Sequence, residues 1–132
     1  MLSHSPEQTE QTGASLAPLL RDGDTLWLYG ELGAGKTAFA RGVARGLGVT
    51  SPVLSPTYAI ANEYEGRLRL YHYDAYRLAG LEELLDTGFD GFSGGVRLVE
   101  WAERAGEDIS GICVMFTVTG EEEREINLCC LP

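Results

Sequence analysis

The chain has 132 residues, with 20 acidic and 10 basic side chains and a formal net charge of −10. This length suits one domain with a substantial core, and a hydrophobic content of 44% is ordinary for a globular protein. A protein that binds nucleic acid by itself must neutralise phosphates with lysine and arginine. The excess of acidic side chains therefore argues against autonomous nucleic-acid binding.

The sequence carries no membrane or export signal. No apolar segment is long enough to span a bilayer, and residues 1–10 lack the basic and apolar regions of a signal peptide. The three cysteines, Cys113, Cys129 and Cys130, match neither a metal-ligand spacing nor a disulfide framework. We therefore expect a cytoplasmic protein with reduced thiols, and we interpret residues 1–132 as a single domain.

The first predicted element is a helix from residue 5 to about residue 20. Ser5 is a candidate N-cap, and Pro6 suits the first helical position. Three leucines are expected to face the core: Leu16, Leu19 and Leu20. After a turn, the apolar run at residues 25–29 predicts a buried strand.

A phosphate-binding motif, G-x-x-x-x-G-K-[ST], follows that strand at residues 30–37. Phe39, Val43 and Leu47 are spaced four residues apart after it, which predicts a helix. The motif therefore lies between a strand and a helix, as its chemistry requires. Its glycines allow a tight turn whose N–H groups point at phosphate oxygens, and the helix presents its positive N-terminal end to the same anion.

Two positions of this loop have individual roles in the expected chemistry. Lys36 would reach the β- and γ-phosphates, and the Thr37 hydroxyl would bind Mg²⁺. Lys36 is the only lysine in a chain that contains nine arginines, which indicates a specific need for a compact ammonium group at this position. The nucleotide-contacting residues are predicted to be Glu31, Leu32, Gly33, Ala34, Gly35, Lys36, Thr37 and Ala38.

The sequence of the rest of the chain predicts short strands and helices. Residues 59–64 and 67–73 are expected to form a hairpin around a two-residue turn, with alternating side chains in the second arm. A short helix at 81–85, a strand at 96–99 and a brief helix at 102–105 follow. Two further strands are predicted at 112–119 and 124–130. The order predicts an α/β fold, a P-loop NTPase domain with a mixed parallel and antiparallel central sheet flanked by helices.

Three side chains outside the P-loop are candidates for catalysis. Glu100 ends an apolar strand, as a Walker B acid does, although a solvated strand-end acid is the alternative. Asp74 offers a second carboxylate near Mg²⁺, or else caps a following helix. Thr57, after Pro56, could sense a γ-phosphate as a switch residue does, or be an ordinary turn residue.

Two aromatic residues beside these acids have plainer interpretations. His72, inside a strand, is expected to pack rather than to catalyse. Trp101, directly after Glu100, reads as a core residue when no other observation is considered.

Several segments together resemble the TsaE family, formerly YjeE, over about residues 5–130. They are G-E-L-G-A-G-K-T-A-F-A-R-G, S-P-T-Y, Y-H-Y-D-A-Y-R-L and L-V-E-W, in this order. These small bacterial P-loop ATPases are needed to make threonylcarbamoyladenosine in tRNA. The resemblance implies that Thr57 is the switch threonine and that Asp74 and Glu100 serve Mg²⁺ and hydrolysis, without assigning one task to each. It also implies that Trp101 lies near the nucleotide base.

The resemblance further implies a function. The chain is expected to bind and hydrolyse ATP with Mg²⁺, slowly alone, and to act on the TsaD–TsaB complex, with tRNA contacted only through these partners. Ala38 stands where many relatives have a second threonine, which leaves Thr37 as the metal-binding hydroxyl.

Three other functions use the same loop. A small-molecule P-loop kinase is the main alternative, but no insertion of lid size is present. A GTPase would need a second lysine in its N-K-x-D motif, and the chain has none. A non-enzymatic, ATP-dependent docking module overlaps with the main interpretation.

Overall fold

The computed structural model describes residues 1–31, 35–53, 61–74, 94–102 and 111–131. Their two α-helices are α1 (Pro6–Leu16) and α2 (Lys36–Gly46), and a 3-10 turn covers Ala17–Leu19. Their strands are β1 (Leu2–Ser3), β2 (Thr25–Tyr29), β3 (Ala61–Tyr64), β4 (Leu70–Asp74), β5 (Val96–Glu100), β6 (Gly111–Val118) and β7 (Arg124–Leu131). Among the described residues, no helix is long and apolar enough to cross a membrane.

One seven-stranded sheet joins all of these strands in the order β1-β7-β6-β2-β5-β4-β3. The four central strands, β6, β2, β5 and β4, run parallel to one another. The outer pairs β3–β4, β6–β7 and β1–β7 are antiparallel. The predicted α/β fold with a mixed sheet is confirmed.

The helices pack on one face of this sheet. Side chains alternate between the faces of a strand, so Leu26, Leu28, Leu98 and Val114 meet Phe39 of α2 in the buried core. The two helices lie very close to each other, because a methyl group on Gly42 would come within 1.8 Å of the Glu10 carbonyl oxygen. This close packing holds α2, and with it the predicted phosphate site, against the sheet.

The helix start at Ser5 is confirmed, since its hydroxyl accepts a hydrogen bond from the Gln8 N–H at 3.1 Å. The helix is shorter than predicted: the α-helical part ends at Leu16, because Pro18 has no N–H to continue the ladder. Leu20 is buried, but Leu19 is 73% exposed, so its predicted place in the core is wrong.

The predicted hairpin forms, but its two-residue turn is wrong. Tyr64 pairs with Leu70, so the connection spans residues 65–69. Tertiary hydrogen bonds hold this loop open: the Arg67 N–H and guanidinium donate to the carbonyl oxygens of Leu47 and Ala17, at 2.6 and 2.9 Å.

The predicted alternation of side chains between the two faces of β4 holds for Leu70–Asp74, but it does not separate buried from exposed residues. Leu70, Tyr71, His72 and Tyr73 are all buried, because β4 lies inside the sheet between β3 and β5 rather than at a solvated surface. The two-residue strand β1 was not predicted, since so short a segment carries no periodic signal. The predicted helix at 81–85 lies outside the described residues, and so does the helix predicted at 102–105 apart from Ala102.

Candidate nucleotide-binding site

The predicted phosphate-binding loop connects the end of β2 at Tyr29 to the start of α2 at Lys36. Gly35 caps the helix with φ +100°, a left-handed conformation that favours glycine, and a methyl group there would lie 3.3 Å from the Thr9 methyl carbon. The first N–H groups of α2 thus begin at the carboxyl edge of the parallel strands. This is the arrangement that binds anionic phosphate groups.

Lys36 is the first residue of α2 and is only 4% exposed. Its ammonium group donates a hydrogen bond to the Gly30 carbonyl oxygen. It also lies 3.4 Å from the centre of the Trp101 ring, a close cation–π contact. The single lysine of the chain is therefore held at the strand end, beside the loop that is predicted to take phosphate.

Trp101 directly follows β5 and has φ +58°, which is unusual for a bulky residue. Its ring touches Lys36 and lines an open cleft of about 380 Å³ with Gly30, Glu31 and residues 115–118. The ring is thus a wall of the site rather than a member of the buried core. Its predicted proximity to the nucleotide base stays a prediction.

Glu100 ends β5 and faces α2. The Thr37 hydroxyl donates a hydrogen bond to its Oε1 at 3.3 Å, which joins the second residue of α2 to the strand. Glu100 is only 6% exposed, so the alternative of a solvated strand-end acid is wrong. The fold brings together the hydroxyl and the carboxylate that were predicted to serve Mg²⁺.

His72 is the other hydrogen-bond partner of Glu100. Its Nε2 lies 2.5 Å from Glu100 Oε2, and its side chain is completely buried. It does pack in the core as predicted, but the sequence reasoning missed its bond to the candidate acid. The signal in the sequence was only that His72 and Asp74 are two residues apart on a strand and so share a face. The register of β4 beside β5, which places Glu100 on that face, comes from the structure.

Asp74 ends β4 and is half-buried. In the parallel register it pairs directly with Glu100, so the two carboxylate-bearing residues stand side by side at the carboxyl edge of the sheet. Its alternative role as a cap for a following helix concerns residues outside the described ranges. Four other predicted site residues lie outside the described ranges, and their predicted roles stay predictions: Thr57, Leu32, Gly33 and Ala34.

The oxygen donors at this edge fit a magnesium ion. No three His, Cys, Asp or Glu side chains cluster as a metal site in the described ranges. Mg²⁺ is commonly held by one or two carboxylates together with substrate phosphates. The Thr37 hydroxyl and the Glu100 carboxylate are hard oxygen ligands of that kind, whereas the His72 Nε2 is hydrogen-bonded to Glu100.

Tyr73 points to the opposite face of the sheet from its neighbour His72. Burial raises the pKa of the Tyr73 phenol from 10.0 to about 12, because the charged phenolate is poorly solvated there. This tyrosine belongs to the buried packing around β4. It is not among the side chains that the structure shows in contact with Glu100.

For two of the predicted nucleotide-contacting residues, the structure gives the position and the exposure. Glu31 is exposed and lines the cleft beside Trp101, and Ala38 is half-buried in the first turn of α2.

A parallel-centred α/β sheet, a glycine-capped helix with a buried lysine at its start, and a Thr–Glu pair at the strand ends define a P-loop nucleotide-binding protein. Comparison with known proteins refines this class. The family profile described as "Threonylcarbamoyl adenosine biosynthesis protein TsaE" matches residues 3–126.

Individual relatives agree with the profile. Over 131 residues the chain is 37% identical to the Treponema pallidum protein named tRNA threonylcarbamoyladenosine biosynthesis protein TsaE, covering 96% of this chain and 97% of the relative. It is 42% identical to the Bacillus subtilis protein of the same name, over 92% of this chain and 79% of the relative. The crystal structure of Bacillus subtilis YdiB superposes with a TM-score of 0.79 at 36% identity, covering all of this chain and 84% of that one. The chain belongs to the TsaE family.

Proposed function

We propose that this chain binds ATP with Mg²⁺, hydrolyses it, and acts in this way on a TsaD–TsaB-type complex during threonylcarbamoyladenosine modification of tRNA. Membership of the TsaE family indicates a part in the biosynthesis of this modified nucleoside. The ATPase activity and the identity of the partners are the further steps that we propose.

One observation supports hydrolysis more than any other: the hydrogen bond from Thr37 to the buried Glu100 carboxylate, next to Lys36. A site that only bound phosphate would need the loop, the helix end and the lysine. A buried acid beside the metal-binding hydroxyl is the additional feature that phosphoryl transfer to water requires.

The tasks of the residues follow from their chemistry. The Lys36 ammonium would pair with phosphate oxygens in place of its bond to the Gly30 carbonyl oxygen. Thr37, Glu100 and Asp74 would hold Mg²⁺ or orient the attacking water, and Trp101 would lie along the nucleotide. Mg²⁺, when bound, neutralises charge on the phosphoryl oxygens.

The net charge of −10 supports an indirect relation to tRNA. Like charges repel at close range, so a phosphate backbone would be contacted by the partner proteins rather than by this chain. Because tRNA is the molecule that is modified, we propose that the protein works in the cytoplasm.

The test is Mg-ATP hydrolysis by the purified protein, alone and with a TsaD–TsaB pair. We expect slow turnover alone and a clear increase with the pair. Turnover that is indifferent to the pair would contradict the proposed partner and favour a small-molecule kinase, which a phosphorylated product would identify. No hydrolysis under either condition would contradict the ATPase assignment.

A further inference from the structure

The geometry points to His72 as a positioning residue that holds the Glu100 carboxylate in its working orientation. This inference rests on the proposed ATPase function and adds a residue to it. It depends on three elements that meet at Glu100: β5 carries the acid, α2 brings Thr37, and β4 brings His72.

His72 is completely buried, and its neighbours on the same face of the sheet are both apolar and polar. They are Leu70 and Asp74 on its own strand, Leu98 on β5 and Asn62 on β3. Burying a polar ring costs free energy unless the ring is hydrogen-bonded. The bond between Nε2 and Glu100 Oε2 offsets this cost, and it joins the ring to the candidate acid.

The direction of this bond follows from the chemistry of the partners. A carboxylate oxygen accepts hydrogen bonds but cannot donate them, so His72 Nε2 carries the proton that it shares with Glu100 Oε2 at 2.5 Å. The other ring nitrogen, Nδ1, is buried and has no hydrogen-bond partner among the described residues. The imidazole therefore interacts with the acid through one nitrogen only.

The two oxygens of Glu100 are bound from different sides. Oε2 accepts from His72, and Oε1 accepts from the Thr37 hydroxyl at 3.3 Å. The shorter bond comes from the more deeply buried partner, which is anchored inside the sheet. His72 thus fixes the plane of the carboxylate, and the oxygen that faces Thr37 is presented to the nucleotide side. Carboxylates that serve metal sites are commonly oriented by outer hydrogen bonds of this kind.

Two substitutions separate positioning from packing. In His72→Gln the side-chain amide can donate to Glu100 from nearly the place of Nε2. In His72→Phe the ring is kept and the donor is lost. Tyr73→Phe is the matched control, because it alters the next residue of β4 on the opposite face of the sheet. Thermal unfolding of all three variants checks that each is folded.

Two readouts are compared with the wild type: kcat and KM for Mg-ATP, with the TsaD–TsaB pair present, and the Mn²⁺ affinity of the complex with a non-hydrolysable ATP analogue, measured by electron paramagnetic resonance. We expect His72→Phe to lower kcat or Mn²⁺ affinity by about 10- to 100-fold, as lost outer-shell bonds do, with the KM for Mg-ATP nearly unchanged. His72→Gln should recover most of this loss, and Tyr73→Phe should behave as the wild type.

The outcomes distinguish this inference from the proposed function. If the folded His72→Phe protein matches the wild type in both readouts, or if His72→Gln is as impaired as His72→Phe, the positioning role is wrong. If the wild type binds Mn²⁺ and nucleotide but never hydrolyses ATP, the proposed function is wrong and the Mn²⁺ affinities alone decide the role of His72. A wild type that binds neither contradicts both.

Discussion

Lys36 and Thr37 are neighbours at the start of α2, but their side chains belong to two groups of contacts of different character. We call these groups the lysine half and the acid half of the site. In the lysine half, Lys36 contacts the Gly30 carbonyl oxygen and the face of the Trp101 ring. In the acid half, the Thr37 hydroxyl and the His72 ring both bond to the Glu100 carboxylate. The first half pairs a cation with neutral groups, and the second joins polar side chains from three separate elements.

The difference indicates which half changes when nucleotide binds. A phosphate anion attracts an ammonium group more strongly than a neutral carbonyl oxygen or an aromatic face does, so the lysine half is built to exchange its partners. In the acid half, the partners of the Glu100 carboxylate are side chains that belong to the fold itself. Nucleotide binding and hydrolysis should therefore be separable by substitution.

Lys36→Met should give the largest effect, the loss of nucleotide binding, because the phosphates lose their principal cation. For the wild type with ATP at about 100 times its Kd, binding stabilises the fold by about 2.7 kcal/mol. A thermal-shift measurement should show this stabilisation in the wild type and none in the variant. Arg45→Met is the control, since it removes an exposed cation from the same helix; an ATP-induced shift that survives in Lys36→Met would contradict the assignment.

Glu100→Gln should break the acid half alone. Turnover should fall by about 10²- to 10⁴-fold, the range of acid–base contributions, while the Gln carbonyl oxygen can still accept from His72. Asp74→Asn tests the neighbouring carboxylate in the same way. Steady-state hydrolysis is the measurement, with Glu63→Gln on the exposed edge strand as control; normal turnover in both Glu100→Gln and Asp74→Asn would show that neither acid is catalytic.

Burial of Tyr73 should make the free energy of unfolding depend on pH, and this effect does not involve either half of the site. Its pKa is raised from 10.0 to about 12 in the folded protein, so the fold favours the protonated phenol. The stabilisation of the fold by this buried phenol is complete below pH 10 and is lost as the pH rises toward about 12. Two pKa units correspond to about 2.7 kcal/mol. Urea unfolding across this window should show that the wild type loses about this much more stability than Tyr73→Phe, and parallel losses would contradict the shift.

Gly35→Ala should strain the turn into the lysine half. Alanine in the left-handed region costs about 1–2 kcal/mol, and its methyl group would also press on Thr9. Gly23→Ala is a matched control, because Gly23 has a similar φ of +95° and open space around it. Both variants should lose stability in denaturant unfolding, but only Gly35→Ala should also weaken nucleotide binding; equal nucleotide affinities would place Gly35 outside the site.

Trp101→Ala should have the smallest effect, a loss of about 1 kcal/mol in nucleotide affinity if the ring contacts the base. Calorimetric titration measures this loss, and Trp101→Phe, which keeps an aromatic face, should recover part of it. Unchanged affinity in the alanine variant would limit the ring to its contact with Lys36.

The lysine half could be predicted from the sequence because its signals are local. The apolar run of β2, the glycines and the spacing of Phe39 and Val43 all lie within a short stretch of chain. The bounds of β2 were predicted correctly, and α2 begins within the motif itself.

The acid half could be predicted only in part, because its contacts depend on strand register. The bond between His72 and Glu100 joins residues 28 apart in sequence, and it requires β4 to lie beside β5 in parallel. The error at the β3–β4 connection has a similar origin, since the bonds from Arg67 to Leu47 and Ala17 are tertiary. Local turn preferences contain no information about such contacts.

The most direct test of a site with separable halves is the ATP affinity of Glu100→Gln beside that of Lys36→Met, both measured by isothermal titration calorimetry with Mg²⁺. We predict that Glu100→Gln binds ATP within a few-fold of the wild type and that Lys36→Met shows no measurable binding. An equal loss of affinity in the two variants would mean that the acid half is needed to bind the nucleotide, and would contradict the division.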